Sequence, residues 1–291
     1  MQPVTIGNRT VGPDQPTLIV AEVGINHNGS VDLARKLIAA AATAGCHAVK
    51  FQKRTVEKVY TPSELSQPRE SPFGATVGDL KRGLEFGYGD YLEIDRACRA
   101  AGVIWFASCW DEASVDFIEQ FDPPCYKIAS ACLTDHDLLR RHCLTNRPLL
   151  LSTGMSTIDE IDAAVAVVGR DQLVLMHCTS TYPSRTEELN LKAIQQLARR
   201  YDVPIGYSGH EVGLTTTVAA VALGAAVVER HLTLDRAMWG SDHAASVEPH
   251  GFARLVKDVM AVELALGDGV KRVYDSEVPV MRKLRRVGRA L

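Results

Sequence analysis

The feature that most constrains this chain is an alternation of short apolar runs, each bounded by turn residues, with longer amphipathic stretches. Eight runs rich in Val, Ile and Leu occur, at 17–23, 48–52, 103–108, 124–130, 148–153, 172–178, 204–208 and 226–231. They are too short for helices. The intervening patterns predict helices near 30–44, 90–101, 112–120, 135–144, 157–168, 190–200, 213–223 and 249–266. In the helix at 157–168, Ser156 or Thr157 can cap a run whose Ile158, Ile161, Val165 and Val168 share one face, and Asp159 and Glu160 suit its N-terminus. Near-continuous apolar strands alternating with helices require a parallel sheet covered on its outer side. Eight such units in 291 residues predict α/β architecture of one kind, a closed (β/α)8 TIM barrel forming a single catalytic domain over 1–291. The rival, an open doubly wound sheet, normally carries a glycine-rich phosphate turn after its first strand. Here the first run leads instead into GINHNG, residues 24–29. Residues 1–14 are expected to form a short N-terminal β-hairpin cap, since 4–11 alternate around Gly7-Asn8 and would plug the N-terminal mouth. The longest irregular stretch, 53–89, follows the second strand and reads as a lid or substrate loop.

Composition removes several function classes. A net charge of -3 and a pI near 6.3 give no footing for nucleic acid or an anionic membrane, so any bound anion must be held locally. No stretch approaches the ~20 apolar residues that cross a bilayer. The start, Met1, Gln2, Pro3 and Val4, lacks the basic-then-apolar order of a signal peptide, and a cytoplasmic location is expected. Seven cysteines without a CxxC pair read as reduced thiols rather than disulfides or structural zinc.

Polar and ionisable residues interrupt the runs mainly at their C-terminal ends, the catalytic face of such barrels. They are Glu22 with Asn26 and His27, Lys50 with Gln52, Ser108 with Cys109, and Lys127 with Ser130. Then come Ser152 with Thr153, His177 with Thr179, Ser180 and Tyr182, Ser208 with His210, and Glu229 with His231. Each alone has a bland reading as a cap or a backbone partner. Together, two lysines and several hydroxyls at one mouth make an anion pocket. His210 and His231, from neighbouring strands, either close on one ion or include a hydrogen-bonded base. Two imidazoles suit Mn, Fe, Co or Zn more than Mg.

The motifs AEVGINHNGS, AVKFQ, YKIAS, LLSTGMST, HCTSTYP, IGYSGHE, VVERHLTLD and GSDHAASVEP occur in this order. They resemble the catalytic barrel of the sialic acid synthase (N-acetylneuraminate synthase) family, over roughly residues 15–288. The resemblance implies condensation of phosphoenolpyruvate with an aldose such as N-acetylmannosamine, giving a 2-keto-3-deoxy sugar acid and phosphate. It implies a divalent cation, Mn2+ first, with Mg2+ or Co2+ as alternatives. Lys50, Lys127, Ser130, Ser152, Ser180 and Ser208 would contact phosphoenolpyruvate, and His210 and His231 would hold the metal. Glu22 would be the catalytic carboxylate, acting with Lys50, Lys127 and His231, while Gln52, Tyr182 and Asp242 would face the sugar. Glu22 also has the simpler reading of a buried partner for Lys50.

The resemblance also implies a homodimer, and an arginine lent by a C-terminal antifreeze-like domain. The sequence ends before that domain would begin, so the arginine is expected to be missing or replaced. The tail 270–291, with Arg282, Lys283, Arg285, Arg286 and Arg289, reads as a solvated charge run. Where many relatives have SGE, this chain has Ser130-Ala131-Cys132, and where they have TPF it has Cys109-Trp110-Asp111. These changes predict an acceptor other than simple N-acetylmannosamine. Three other readings compete: an octulosonate- or heptulosonate-type synthase taking a phosphorylated aldose, a Schiff-base aldolase using Lys50 or Lys127, and a non-catalytic barrel serving as a binding partner. The first lacks a second basic motif, the second leaves the histidines unexplained, and the third leaves the retained ionisable set unexplained.

Overall fold

The computed structural model describes residues 1–288; Arg289 of the basic tail lies outside them. β1 (Val4–Ile6) and β2 (Arg9–Val11) pair antiparallel and are followed by β3 (Leu18–Gly24) and β4 (Ala48–Lys53). A second hairpin, β5 (Pro68–Ser71) and β6 (Gly74–Thr76), precedes β7 (Ile104–Cys109) and β8 (Tyr126–Ile128). The remaining strands are β9 (Leu149–Ser152), β10 (Leu173–Cys178), β11 (Ile205–Gly209) and β12 (Val227–His231). β3, β4 and β7 to β12 close into a parallel barrel in chain order, β12 pairing with β3. Among the described residues, no helix is long and apolar enough to cross a membrane. All seven cysteines are free.

The local chemistry that ends each element is visible. Thr157 caps the helix Ile158–Val168: its hydroxyl accepts from the Glu160 N–H, and the Glu160 carboxylate accepts from the Thr157 N–H. Such a cap is worth about 1 kcal/mol. Three expectations need correction. The strand expected over 124–130 is only Tyr126–Ile128, because Pro124 cannot donate to the ladder and Ser130–Cys132 already forms a 3-10 turn. The helix expected from 190 begins at Ala193, since Asn190 is left-handed with φ 43°. The stretch 53–89 is not irregular: it carries helices Val56–Val59, Pro62–Leu65 and Val77–Gly83 besides β5 and β6. Its small and polar residues serve caps and turns, with Thr61 and Thr76 forming capping boxes with Glu64 and Asp79.

Strand residues alternate between the barrel interior and the surrounding helices. Ile19, Ala21, Val49, Trp105, Tyr126, Leu151 and Leu175 face outward into the helix-packed core. Leu18, Val20, Ala48, Phe106, Leu150, Val174, Met176 and Val227 face inward and pack with Val4, Ile6 and Val11 of the first hairpin. The hairpin therefore plugs the N-terminal mouth as expected, each fully buried aliphatic contributing about 1.5–3 kcal/mol. Above this apolar floor, the next inward position is polar on most strands (Glu22, Lys50, Ser108, Lys127, Ser152, Ser208 and Glu229) and is the thiol of Cys178 on β10.

Candidate active site at the barrel mouth

That polar layer follows from register. Glu22 is aligned with Lys50 on β4 and with His231 on β12, Glu229 with Ser208, and Ser108 with Lys127. Eleven of the twelve expected site residues, Glu22, Lys50, Gln52, Lys127, Ser130, Ser152, Ser180, Tyr182, Ser208, His210 and His231, line one cleft of about 220 Å³. Asp242, the twelfth, stands beside it, with Oδ2 3.8 Å from His231 Nδ1.

Two buried lysines and two buried carboxylates organise the floor of the cleft. Lys50 Nζ lies 3.2 Å from Glu22 Oε2 and 3.3 Å from Glu229 Oε1, and Lys127 Nζ lies 3.1 Å from the same Glu229 oxygen. Lys50 donates to Ser108 Oγ at 3.1 Å, and Ser208 Oγ donates to Glu229 Oε1 at 3.1 Å. Burial pushes the Glu22 carboxyl up to about 7, against the pull of Lys50. Burial also opposes ionisation of Glu229, but Lys127 and Lys50 outweigh it and hold that carboxyl well below its usual range. Burial holds Lys127 below its ordinary value, whereas Glu22 and Glu229 outweigh burial at Lys50 and raise it. The two carboxylates thus differ in kind: Glu229 is a fixed anion and Glu22 a proton carrier near neutrality.

Several buried polar atoms of residues that line the cleft have no hydrogen-bond partner: Glu229 Oε2, Ser152 Oγ, Trp110 Nε1 and His231 Nδ1. Buried polar atoms are ordinarily paired, so their convergence marks a place for a polar ligand. His210 and His231 have ring centroids 5.5 Å apart, with Tyr182 packed 4.1 Å and 5.9 Å from them. His210 Nδ1 lies 2.9 Å from the Thr179 carbonyl, which fixes that nitrogen as the donor and turns Nε2 to other partners. Burial pushes His231 down to about 3, so its imidazole is neutral at neutral pH. Burial would lower His210 as well, but the Cys178 side chain and the Thr179 carbonyl outweigh it and raise that imidazole. Once deprotonated, the two imidazoles are a fitting donor pair for a borderline divalent cation. Among the described residues, no group of three or more His, Cys, Asp and Glu side chains is placed to hold a metal. Any third ligand would come from substrate or water.

Not every strand-end residue faces the cleft. His177 points outward and contacts the Leu189 carbonyl, Thr153 donates to Met176 O, and Thr179 donates to Glu188 O. Asn26 bonds Leu232 O and Ser246, His27 stacks on Phe86, and Cys109 is buried in the helix-packed core. Asp111 is no sugar-facing carboxylate, because it caps the helix Glu112–Glu119 and accepts from Thr55. Cys132 packs into the outer core, so Ala131 lines the cleft in its place. Conversely, Glu229 was visible at a strand end but without a role; the register with both lysines gives it one. Arg54 gave no signal, lying within a stretch that reads as a loop.

The model of the NeuB family matches residues 37–271. The chain belongs to the NeuB family. It is 38% identical over 281 residues to the N-acetylneuraminate-9-phosphate synthase of Homo sapiens, covering 95% of this chain and 78% of that protein. It is 35% identical over 292 residues to the N,N'-diacetyllegionaminic acid synthase of Legionella pneumophila, covering 96% and 82%. Among solved structures, it matches the N-acetylneuraminic acid (sialic acid) synthetase of Leptospira borgpetersenii in complex with citrate. That match has a TM-score of 0.86, 31% identity and 98% coverage of both chains. This NeuB-family chain is thus a homologue of sialic and legionaminic acid synthases.

Proposed function

We propose that this chain condenses phosphoenolpyruvate with a six-carbon aldose, forming a nonulosonic acid and releasing phosphate. The observation that carries this is the buried Lys50–Glu229–Lys127 array beneath orphaned hydroxyl and imidazole donors. It offers two cations and several hydroxyls to a small multiply charged anion. Lys50 and Lys127 bind the carboxylate and phosphate, with Ser130, Ser152, Ser180 and Ser208 as hydroxyl partners. C3 of the enol attacks the aldehyde carbon, whose oxygen takes the carbonyl electron pair and then a proton, leaving positive charge at C2. Water adds at C2, and phosphate then departs by C–O cleavage. Glu22, near neutrality in its proton affinity, takes the proton from that water, and Glu229 stabilises the developing cation.

His210 and His231 would hold a divalent cation, Mn2+ first, whose contribution when bound is Lewis-acid polarisation of the aldehyde oxygen. On the sugar side, Gln52, Tyr182 and Trp110 line the cleft with Ala131 and Met155, giving an aromatic and apolar wall suited to an acylated sugar. Asp242 stands behind His231. Carbons 1–3 of the product come from phosphoenolpyruvate, so a product phosphorylated at C9 requires an aldose phosphorylated at C6. The experiment is phosphate release, with product mass, across N-acetylmannosamine, its 6-phosphate and a 2,4-diacetamido hexose, with EDTA and with added Mn2+. Turnover of at least one acylated aldose, abolished by EDTA and in His231→Ala, is expected. Failure to release phosphate with every sugar, with Mn2+ present, refutes the reading.

A further inference from the structure

Gln52 sits between two charged groups of opposite sign, and its amide can satisfy both in only one orientation. Its Nε2 donates to Glu22 Oε1 at 2.9 Å, and the Arg54 guanidinium donates to its Oε1. The reverse orientation would set oxygen against carboxylate and N–H against guanidinium. Arg54 itself is 5% exposed and does not line the cleft, although Gln52 and Trp110 do. It is clamped from three sides: its guanidinium lies 4.6 Å from the Trp110 ring, its Nε is 3.9 Å from Glu85 Oε1, and its backbone N–H donates to Glu85 Oε2. Burying a guanidinium costs several kcal/mol, so Arg54 occupies an expensive position for a residue with no access to substrate. The opposite side of the amide is shaped as well. Gly24 is left-handed with φ 54°, and a Cβ there would lie 3.1 Å from Glu22 Oε1 and 3.3 Å from Gln52 Nε2. A side chain there would be strained by the left-handed backbone and would press on the Glu22–Gln52 bond.

We propose that Arg54 is a positioning residue for the acceptor sugar: by occupying Gln52 Oε1 it locks the amide, so that Gln52 offers the aldose an N–H donor and not a carbonyl. Gln52 therefore selects a sugar oxygen with a lone pair turned toward it, and Arg54 sets that preference without touching the sugar. The substrate half of this statement rests on the condensation proposed above; the amide half does not.

Two measurements keep the halves separate. In the protein without substrates, the side-chain amide of Gln52, assigned by its loss in Gln52→Ala, is followed by 15N–1H NMR. Two protons displaced from the positions of a free glutamine amide and exchanging slowly with solvent are expected in the parent, and in Arg54→Met their movement toward the free-glutamine positions with faster solvent exchange. An unchanged Gln52 amide in Arg54→Met overturns the proposal whether or not the enzyme turns over. In steady-state kinetics, Arg54→Met is expected to raise the aldose KM about tenfold while leaving the phosphoenolpyruvate KM unchanged. The same change made in Gln52→Ala is expected to have no further effect, and Arg54→Lys to recover part of the loss. An equal loss in both backgrounds shows that Arg54 acts independently of Gln52 and overturns the proposal. Should Arg54→Met fail to fold, Arg54→Gln serves in both measurements with the same expectations.

Discussion

Replacing Glu229 by Gln tests the charge logic of the cleft directly. One oxygen, Oε1, faces Lys127 Nζ at 3.1 Å, Lys50 Nζ at 3.3 Å and the Ser208 hydroxyl at 3.1 Å, all buried. At such distances each ion pair is worth roughly 5 kcal/mol with an effective dielectric constant of about 20. The amide keeps an acceptor at the same place, so the net loss lies at the low end of what removal of one buried partner costs, about 3 kcal/mol. For a chain of this size that corresponds to a fall in Tm of about 5 °C. Phosphoenolpyruvate would supply the missing negative charge, so it should restore the variant by more degrees than it adds to the parent. Thermal unfolding of both proteins, with and without saturating phosphoenolpyruvate, measures all four values. A variant melting within 2 °C of the parent, a margin set well below the shift expected of a lost buried pair, would refute the view that Glu229 is the fixed anion on which Lys50 and Lys127 lean. So would a ligand-induced shift no larger in the variant than in the parent.

Two further outcomes follow from the same cleft. A Cβ at Gly154 would lie 2.2 Å from Ser180 Oγ and 2.8 Å from Ser130 Oγ, so Gly154→Ala should displace both hydroxyls and raise the phosphoenolpyruvate KM about tenfold, read with the aldose saturating. Glu22 is pushed up to about 7 from an ordinary 4.5, so its contribution to stability is complete below about 4.5 and is lost as pH rises through about 7. Urea unfolding between pH 5 and 8 should therefore show a smaller decline in Glu22→Gln than in the parent. Parallel curves would place the Glu22 carboxyl in its ordinary range.

The barrel was legible because its signals are local and repeated: eight apolar runs, each ending in turn residues, need no long-range information. Eleven site residues reached one cleft for a related reason, since polar residues at the C-terminal ends of the strands and in the loops just after them lie at the mouth. What the sequence withheld was side-chain direction at neighbouring positions. His177 and Cys178 adjoin, yet one packs outward against a loop carbonyl and the other lines the cleft. Asp111 reads equally well as a ligand or a helix cap, and only the distance to Thr55 and Ser114 separates the two. Arg54 and Glu85 meet across 31 residues of caps and turns whose composition mimics disorder. Cys132 looked like a lost sugar contact, but it is the burial of its thiol that puts Ala131 on the cleft wall.

The hairpin that seals the base of the barrel makes the cleft a vessel with one door. The lysine-lined floor lies beneath the histidine and aromatic rim, so a small anion seated on the floor is roofed by whatever sugar follows it. Traffic through one opening would be a queue under the proposed reaction: phosphoenolpyruvate would have to load first, and phosphate freed beneath the new sugar acid would wait until that acid had gone. Occupying the rim should therefore slow escape of anything below it, without any moving part.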